Sequence, residues 1–178
     1  MDGLFFGSYR IQYNIIGNPK ISIIVPTKDK VNVLKTCIES VLKRTRYQNY
    51  EIIIVDNQSQ EQKTFDYYKK LETDPRIRIL TYDKPFNFSA MNNFAVSHAE
   101  GEHLVLLNND IEIRSEEWLS AMLEHSQRRG VGAVGAKLLY PNNTVQHAGI
   151  IIGIIGNPPV CGHAHRHLPA SHPGYFGR

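Results

Sequence analysis

The stretch Leu104-Val105-Leu106-Leu107-Asn108-Asn109-Asp110 decides the fold. Its four consecutive apolar residues follow the turn-like Glu100-Gly101-Glu102 and predict a short strand that is buried on both faces. Two amides and a carboxylate come next, and their oxygens suit a hard cation such as Mg²⁺ or Mn²⁺. Ligands of open α/β sheets bind beyond the carboxyl ends of the strands. An ordinary Asn/Asp turn would use the same residues, so other stretches must decide between the two interpretations.

Three further strand patterns precede this stretch, and helical spacing of apolar residues separates them. The strands are predicted at residues 20–25, 51–55 and 76–80, and the helices from residue 31, at 61–72, at 89–99 and from residue 115. Strands that alternate with helices of this length form βαβ crossovers, so we predict a mostly parallel sheet flanked by helices. With the common strand order 3-2-1-4, the ligand crevice opens between strands one and four.

Polar residues stand at the carboxyl ends of three of these strands. Strand one runs into Pro26-Thr27-Lys28-Asp29, strand two into Asp56-Asn57-Gln58-Ser59, and strand four into Asn108-Asn109-Asp110. An acid after strand two can accept a hydrogen bond from a base or a ribose, and an acid after strand four can hold a metal that screens a diphosphate. The pattern therefore favours a nucleotide diphosphate lying across this edge of the sheet.

The composition is that of one ordinary globular domain. The chain has 178 residues, of which 42% are hydrophobic and 21% charged, and its net charge of +3 gives no reason to expect a nucleic-acid partner. Two cysteines are too few for a disulfide framework, which fits a reducing, cytoplasmic compartment. No signal peptide opens the chain, and its longest apolar run is far shorter than the about 18 residues of a membrane span.

Several stretches together resemble the family 2 glycosyltransferases, which use nucleotide-sugar donors on a GT-A fold. They are Ile23-Ile24-Val25-Pro26-Thr27, Ile54-Val55-Asp56-Asn57-Gln58-Ser59, Leu106-Leu107-Asn108-Asn109-Asp110 in the place of the family's D-x-D, and residues 85–93, 132–138 and 146–149. The branch they resemble is associated with bacterial cell-surface polysaccharides and rhamnose transfer. The resemblance implies inverting transfer from a UDP- or dTDP-sugar to a saccharide or lipid-linked saccharide acceptor.

The resemblance also implies roles for single residues. Pro26, Thr27 and Asp29 would line the nucleoside pocket, and Asp56 would contact the pyrimidine ring. Asn93, Asn108 and Asn109 would lie near the donor, and Asp110 would ligate Mg²⁺ or Mn²⁺. Because Asn108 replaces the first acid of the D-x-D, we expect weak affinity for free metal.

The resemblance implies that the general base is an acid in a later E-D or N-D-x-D segment, but no Asp or Glu follows Glu124. We therefore divide the chain into a lead-in (residues 1–19), a donor-binding region (20–125) and the incomplete start of an acceptor side (126–178), with the base beyond residue 178. His147 is a weak catalytic candidate. A non-catalytic nucleotide-sugar-binding fragment is the alternative, and a nucleotidyltransferase is a weaker one because the loop after strand one lacks glycine. Peripheral contact with the inner face of the membrane stays open.

Overall fold

A four-stranded parallel sheet forms the centre of the fold in a computed structural model that describes residues 6, 7, 9–155 and 160–172. Its strands lie in the predicted order, β3-β2-β1-β4, and all pairs are parallel. The strands are β1 Ile21–Thr27, β2 Tyr50–Asp56, β3 Ile77–Thr81 and β4 His103–Leu106. The helices are α1 Val31–Arg44, α2 Gln62–Leu71, α3 Phe88–Val96 and α4 Trp118–Ser126. The α/β fold class is therefore confirmed.

The chain forms two units, which we call the sheet unit (residues 15–123) and the hairpin unit (residues 1–14 and 124–178). The hairpin unit contains two antiparallel pairs, β5 Leu138–Leu139 with β6 Val145–His147, and β7 Ile150–Ile155 with β8 Val160–His163. No helix in the described part of the chain is long and apolar enough to cross a membrane. The predicted functional division at residues 19 and 125 stays a prediction.

Helices cover both faces of β1 and β2. On one face, Ile23 and Ile54 belong to a buried cluster that includes residues of α1 and α4. On the other face, Ile24 and Ile53 belong to a cluster with Met91 of α3. This double burial explains why both strands are almost continuously apolar in the sequence.

The strand β4 corrects one prediction, because it is not buried on both faces. Leu104 and Leu106 are 45% and 56% exposed. The register places Leu106 beside Ile24, on the face that α3 covers, but the buried cluster of that face includes neither leucine. Within the described residues β4 pairs with β1 alone and forms the edge of the sheet. A run of four apolar residues does not distinguish an edge strand from a central one.

A buried polar network holds the start of β4 against β1 and β2. Glu51 accepts hydrogen bonds from the Ser22 hydroxyl (2.6 Å) and the Glu100 backbone N–H (2.7 Å), and it pairs with the Arg78 guanidinium (2.8 Å). Burial opposes ionisation of Glu51, but these partners outweigh it and hold the pKa of Glu51 below its usual value. The Gly101 N–H completes the network by donating to the Ser22 hydroxyl at 2.9 Å.

Gly101 leaves no room for a side chain in this network, so we predict that Gly101→Ala destabilises the protein. An added Cβ would lie 2.5 Å from the Ser22 backbone nitrogen, and backbone cannot move aside as a flexible side chain can. Overpacking of this kind costs about 1–3 kcal/mol, which thermal unfolding would detect. Gly132→Ala is the matched control, because no atom lies within 4 Å of its added Cβ. Equal melting temperatures for the two variants would contradict the tight contact.

Candidate functional site

A cavity of about 300 Å³ opens at the carboxyl end of the sheet, within the sheet unit. Thr27 is the last residue of β1, Asn57 directly follows β2, and Asn108 stands shortly after β4. The cavity is lined by Pro26, Thr27, Lys28, Asn57, Phe86, Phe88, Met91, Asn108, Asn109 and Asp110. Three strand ends and the β3–α3 loop (residues 82–87) thus converge on one space, where open α/β sheets bind their ligands.

The segment that carries Asp110 is attached to the sheet just before it. The Leu107 N–H donates to the Ile24 carbonyl at 2.9 Å and continues the β1–β4 pairing. The Asn109 side-chain amide then donates to the buried Thr27 hydroxyl at 2.9 Å. These bonds bring the ends of β1 and β4 together at the cavity.

Helix α1 holds the same segment from the other side. The Cys37 thiol contacts the Asn108 carbonyl oxygen at 3.7 Å, and the Ile113 N–H donates to the buried Ser40 hydroxyl at 2.9 Å. Burial raises the pKa of Cys37 to about 12, so the thiol keeps its proton and remains a donor. Asp110 therefore lies between anchored residues while its own side chain is exposed.

The charge of the cavity is nearly balanced. Asp110 is the one acidic residue in the described lining, and Lys28 is the one basic residue. In the described residues no three His, Cys, Asp or Glu side chains converge in a way that could hold a metal ion. One carboxylate beside two amides fits Mg²⁺ or Mn²⁺, since such ions keep water ligands and also bind substrate phosphates.

Asp29 ties two loops together and does not line the cavity. Its carboxylate accepts the backbone N–H groups of Gln60 and Glu61, each at 2.9 Å, and its own N–H donates to the Ser59 hydroxyl at 2.7 Å. The Glu61 N–H is the main reason why the pKa of Asp29 lies below its usual value. Its predicted place in the nucleoside pocket stays a prediction.

Asp56 is buried at the end of β2, behind the residues that line the cavity. Its carboxylate accepts the Tyr68 hydroxyl at 2.7 Å and the Ser59 N–H at 3.3 Å. Burial, followed by the bond to Asp56, raises the pKa of Tyr68, which therefore stays a protonated donor. Each carboxylate oxygen can accept a second bond, so the predicted contact with a base remains chemically open.

Sequence reasoning missed Asn57, which directly follows β2, Phe86 of the β3–α3 loop, and Phe88 and Met91 of α3. The Asn57 side-chain amide donates to the carbonyl oxygens of Tyr82 (3.1 Å) and Lys84 (2.8 Å) and so fixes this loop against the end of β2. Phe86 and Phe88 then line the cavity. The two phenylalanines lie in the family-like stretch of residues 85–93, but the sequence prediction within that stretch is Asn93. Asn93 is exposed on α3 and does not line the cavity.

His147 belongs to the hairpin unit. Its Nδ1 lies 2.9 Å from Nδ1 of His163, and the two rings meet edge to face with centroids 5.1 Å apart. One ring must donate and the other accept in such a pair, which fixes both tautomers while the pair is neutral. Its predicted catalytic role stays a prediction.

Comparison with known proteins identifies the family of this chain. The sequence profile of "Glycosyl transferase family 2" matches residues 22–156, a span that contains all the residues lining the cavity. The chain belongs to glycosyl transferase family 2. The predicted family membership is therefore confirmed.

Two relatives illustrate the similarity. The uncharacterized protein y4gI of Sinorhizobium fredii is 48% identical over 96% of this chain, which spans 19% of that protein. The O-antigen biosynthesis protein RfbC of Myxococcus xanthus is 45% identical over 90% of this chain, which spans 12% of that protein. This family 2 chain thus corresponds to a small part of each of these relatives.

A solved structure has the same fold. It is the mannosyltransferase PcManGT of Pyrobaculum calidifontis, in complex with GDP-Man and Mn²⁺, and it superimposes with a TM-score of 0.64 at 19% sequence identity. The match covers 79% of this chain and 41% of that one. At this identity the likeness concerns the fold, and it agrees with the predicted GT-A architecture.

We predict that Ser40→Ala destabilises this site from within α1. The variant removes the acceptor of the buried Ile113 N–H, and an unsatisfied buried donor costs about 1–3 kcal/mol. Thr36→Ala is the matched control, because the Thr36 hydroxyl is exposed and bonds only within the helix. Urea unfolding of both variants measures the difference. A Ser40→Ala loss no larger than that of the control would mean that α1 does not hold the segment.

Proposed function

We propose that this family 2 chain binds a UDP- or dTDP-sugar together with Mg²⁺ or Mn²⁺, for inverting transfer of the sugar in cell-surface polysaccharide synthesis. The observation that carries the proposal is the position of Asp110. Its exposed carboxylate stands with Asn108 and Asn109 in a cavity that Thr27 and Lys28 share. The acceptor would be a saccharide or a lipid-linked saccharide.

The diphosphate would lie at the β4 side of the cavity. Asp110, with Asn108 and Asn109, would hold the divalent cation, and the Lys28 ammonium would face the phosphate oxygens. When bound, the cation supplies the positive charge that stabilises a leaving nucleotide diphosphate. The residues of this chain orient the diphosphate, so that an acceptor hydroxyl can attack the anomeric carbon from the opposite side.

The nucleoside would extend from the diphosphate toward the end of β2. Pro26 and Thr27 would line its path, and Asn93 would lie near the donor. Asp56 would read the pyrimidine through a lone pair that Tyr68 and Ser59 leave available. Asp29 would contribute by holding the loop after β1 in place, since its carboxylate already accepts two backbone N–H groups.

The relatives support a role in polysaccharide synthesis. RfbC is named as an O-antigen biosynthesis protein, and PcManGT was solved with GDP-Man and Mn²⁺. A nucleotide sugar and a divalent ion on the same fold favour the same ligand classes here. The pyrimidine base is the part of the proposal that comes from this chain's resemblance and from Asp56. The protein would work in the cytoplasm, at the inner face of the membrane when its acceptor is lipid-linked.

The second candidate function is donor binding without sugar transfer, and the contacts of Glu124 favour it. Glu124 is the last acid of the sequence. It is buried and pairs with the Arg10 guanidinium at 2.9 Å and with the Tyr13 N–H at 3.3 Å, so it is not available as a general base. His147, whose ring contacts that of His163, remains a weak candidate for the base.

We predict that Asp110→Asn weakens the metal-dependent binding of UDP and dTDP. The variant keeps the shape of the side chain but removes the one carboxylate among the described residues that line the cavity, so affinity with Mn²⁺ should fall about 10–100-fold. Calorimetry with and without chelator, and with GDP as the purine comparison, measures this. Asp66→Asn, an exposed acid on α2, is the matched control and should bind like the wild type. If the wild type bound equally well in chelator, the proposed role of the metal would be wrong. If it bound GDP more tightly than UDP and dTDP, the proposed preference for a pyrimidine base would be wrong.

We predict that this chain binds a donor but transfers its sugar poorly. A missing general base removes a factor of about 10²–10⁴ in rate, while binding needs only the cavity. Release of nucleotide from a panel of UDP- and dTDP-sugars, with and without saccharide acceptors, is the measurement. Turnover at ordinary enzyme rates would overturn the prediction, and His147→Gln would then test whether His147 is the base.

A further inference from the structure

Two aromatic side chains stand exposed at the wall of the cavity. Phe86 is 73% exposed and Phe88 is 45% exposed, yet both line the cavity. Large apolar side chains gain free energy when they leave water, so exposed aromatic rings at a cavity mark a place where a ligand can cover them.

The segment that carries these rings is held firmly at both ends. Asn57 bonds to the carbonyl oxygens of Tyr82 and Lys84 on one side. On the other side, the Asn87 side chain accepts the Ala90 N–H at 3.0 Å and caps α3. Phe86 and Phe88 flank this cap directly. Phe86 and Phe88 therefore belong to a segment whose backbone is anchored on both sides, while their rings are exposed at the cavity.

The position of the rings selects one part of the ligand. In the proposed function the diphosphate lies at Asp110, after β4, whereas Asn57 fixes the aromatic loop to the end of β2. Strands β4 and β2 are separated by β1, which places their ends about 10 Å apart. A nucleoside that extends from the diphosphate along the sheet edge brings its base toward this loop. The sugar is attached at the other end of the diphosphate.

We propose that Phe86, assisted by Phe88, forms an aromatic wall on which the nucleobase of the donor stacks. The inference rests on the proposed function and adds a base-binding subsite to it. Stacking offers affinity for a planar ring without reading its hydrogen-bonding edge, so the wall would strengthen binding while Asp56 reads the pyrimidine. Phe86 would thus contact the flat face of the base, and Asp56 would contact its edge.

The test compares UDP with inorganic pyrophosphate, both in the presence of Mn²⁺. Phe86→Ala should weaken UDP about tenfold, in line with the loss of one stacked base, and leave pyrophosphate within twofold of the wild type. Phe86→Trp should retain UDP binding because it keeps an aromatic face. Phe65→Ala is the matched control, because Phe65 is an exposed aromatic residue on α2 that does not line the cavity. Melting temperatures show whether each variant is folded.

Three outcomes would overturn the wall. Unchanged UDP binding by Phe86→Ala and by Phe88→Ala excludes stacking, and equal losses for UDP and pyrophosphate assign the loop to the phosphates. A loss seen with a UDP-sugar but not with UDP assigns the rings to the sugar. Failure of the wild type to bind either UDP or pyrophosphate would instead reject the proposed function, so the two failures are distinguishable.

Discussion

The parallel pairing of β1 with β4 is the constraint on which the candidate site depends. The hydrogen bond from the Leu107 N–H to the Ile24 carbonyl extends this pairing beyond β4. At the cavity, a side-chain hydrogen bond from Asn109 to Thr27 joins the same two segments. Asp110 follows directly after the residues that pair with β1. A shift in the register of β4 would therefore move the Asp110 side chain away from the cavity. The Glu51 network at the start of β4 and α1 at its end both protect that register, although neither lines the cavity.

Much of the sheet was predictable because a strand that is buried on both faces has a continuous run of apolar residues in the sequence. Strands β1 and β2 lie between helices, and their central residues, Ile23–Val25 and Ile52–Val55, are therefore all apolar and fully buried. Strand β4 has the same apolar run without the same burial, and its prediction was wrong for a physical reason. Coverage of Leu104 and Leu106 depends on where α3 lies, and this is set by contacts with Ile24 and Ile53, remote in sequence from β4.

The location of the site at the carboxyl edge of the sheet was predictable, but the roles of its individual residues were not. Strand ends that carry polar residues converge, and five of the predicted residues do line one cavity: Pro26, Thr27, Asn108, Asn109 and Asp110. The sequence does not distinguish an acid that holds the fold from one that faces a ligand. Asp29 is engaged with backbone N–H groups and Asp56 with Tyr68, contacts between segments that only folding brings together. Phe86 could not be predicted, because in the sequence it is a phenylalanine in a loop. Its place at the cavity depends on the hydrogen bonds from Asn57, which is distant from it in the sequence.

The different roles of these acids determine the charge of the cavity, and this charge affects how the proposed ligands would bind. Asp29 and Asp56 accept hydrogen bonds from other segments of the chain and do not line the cavity, so its described lining carries one carboxylate and one ammonium. A divalent cation alone would meet a single anionic ligand, and a diphosphate alone would meet a single cation. Together the two ligands neutralise much of each other's charge, and each completes the other's coordination. For the proposed function, a nearly neutral cavity would therefore favour joint binding of the metal and the nucleotide diphosphate, in which neither ligand binds tightly without the other.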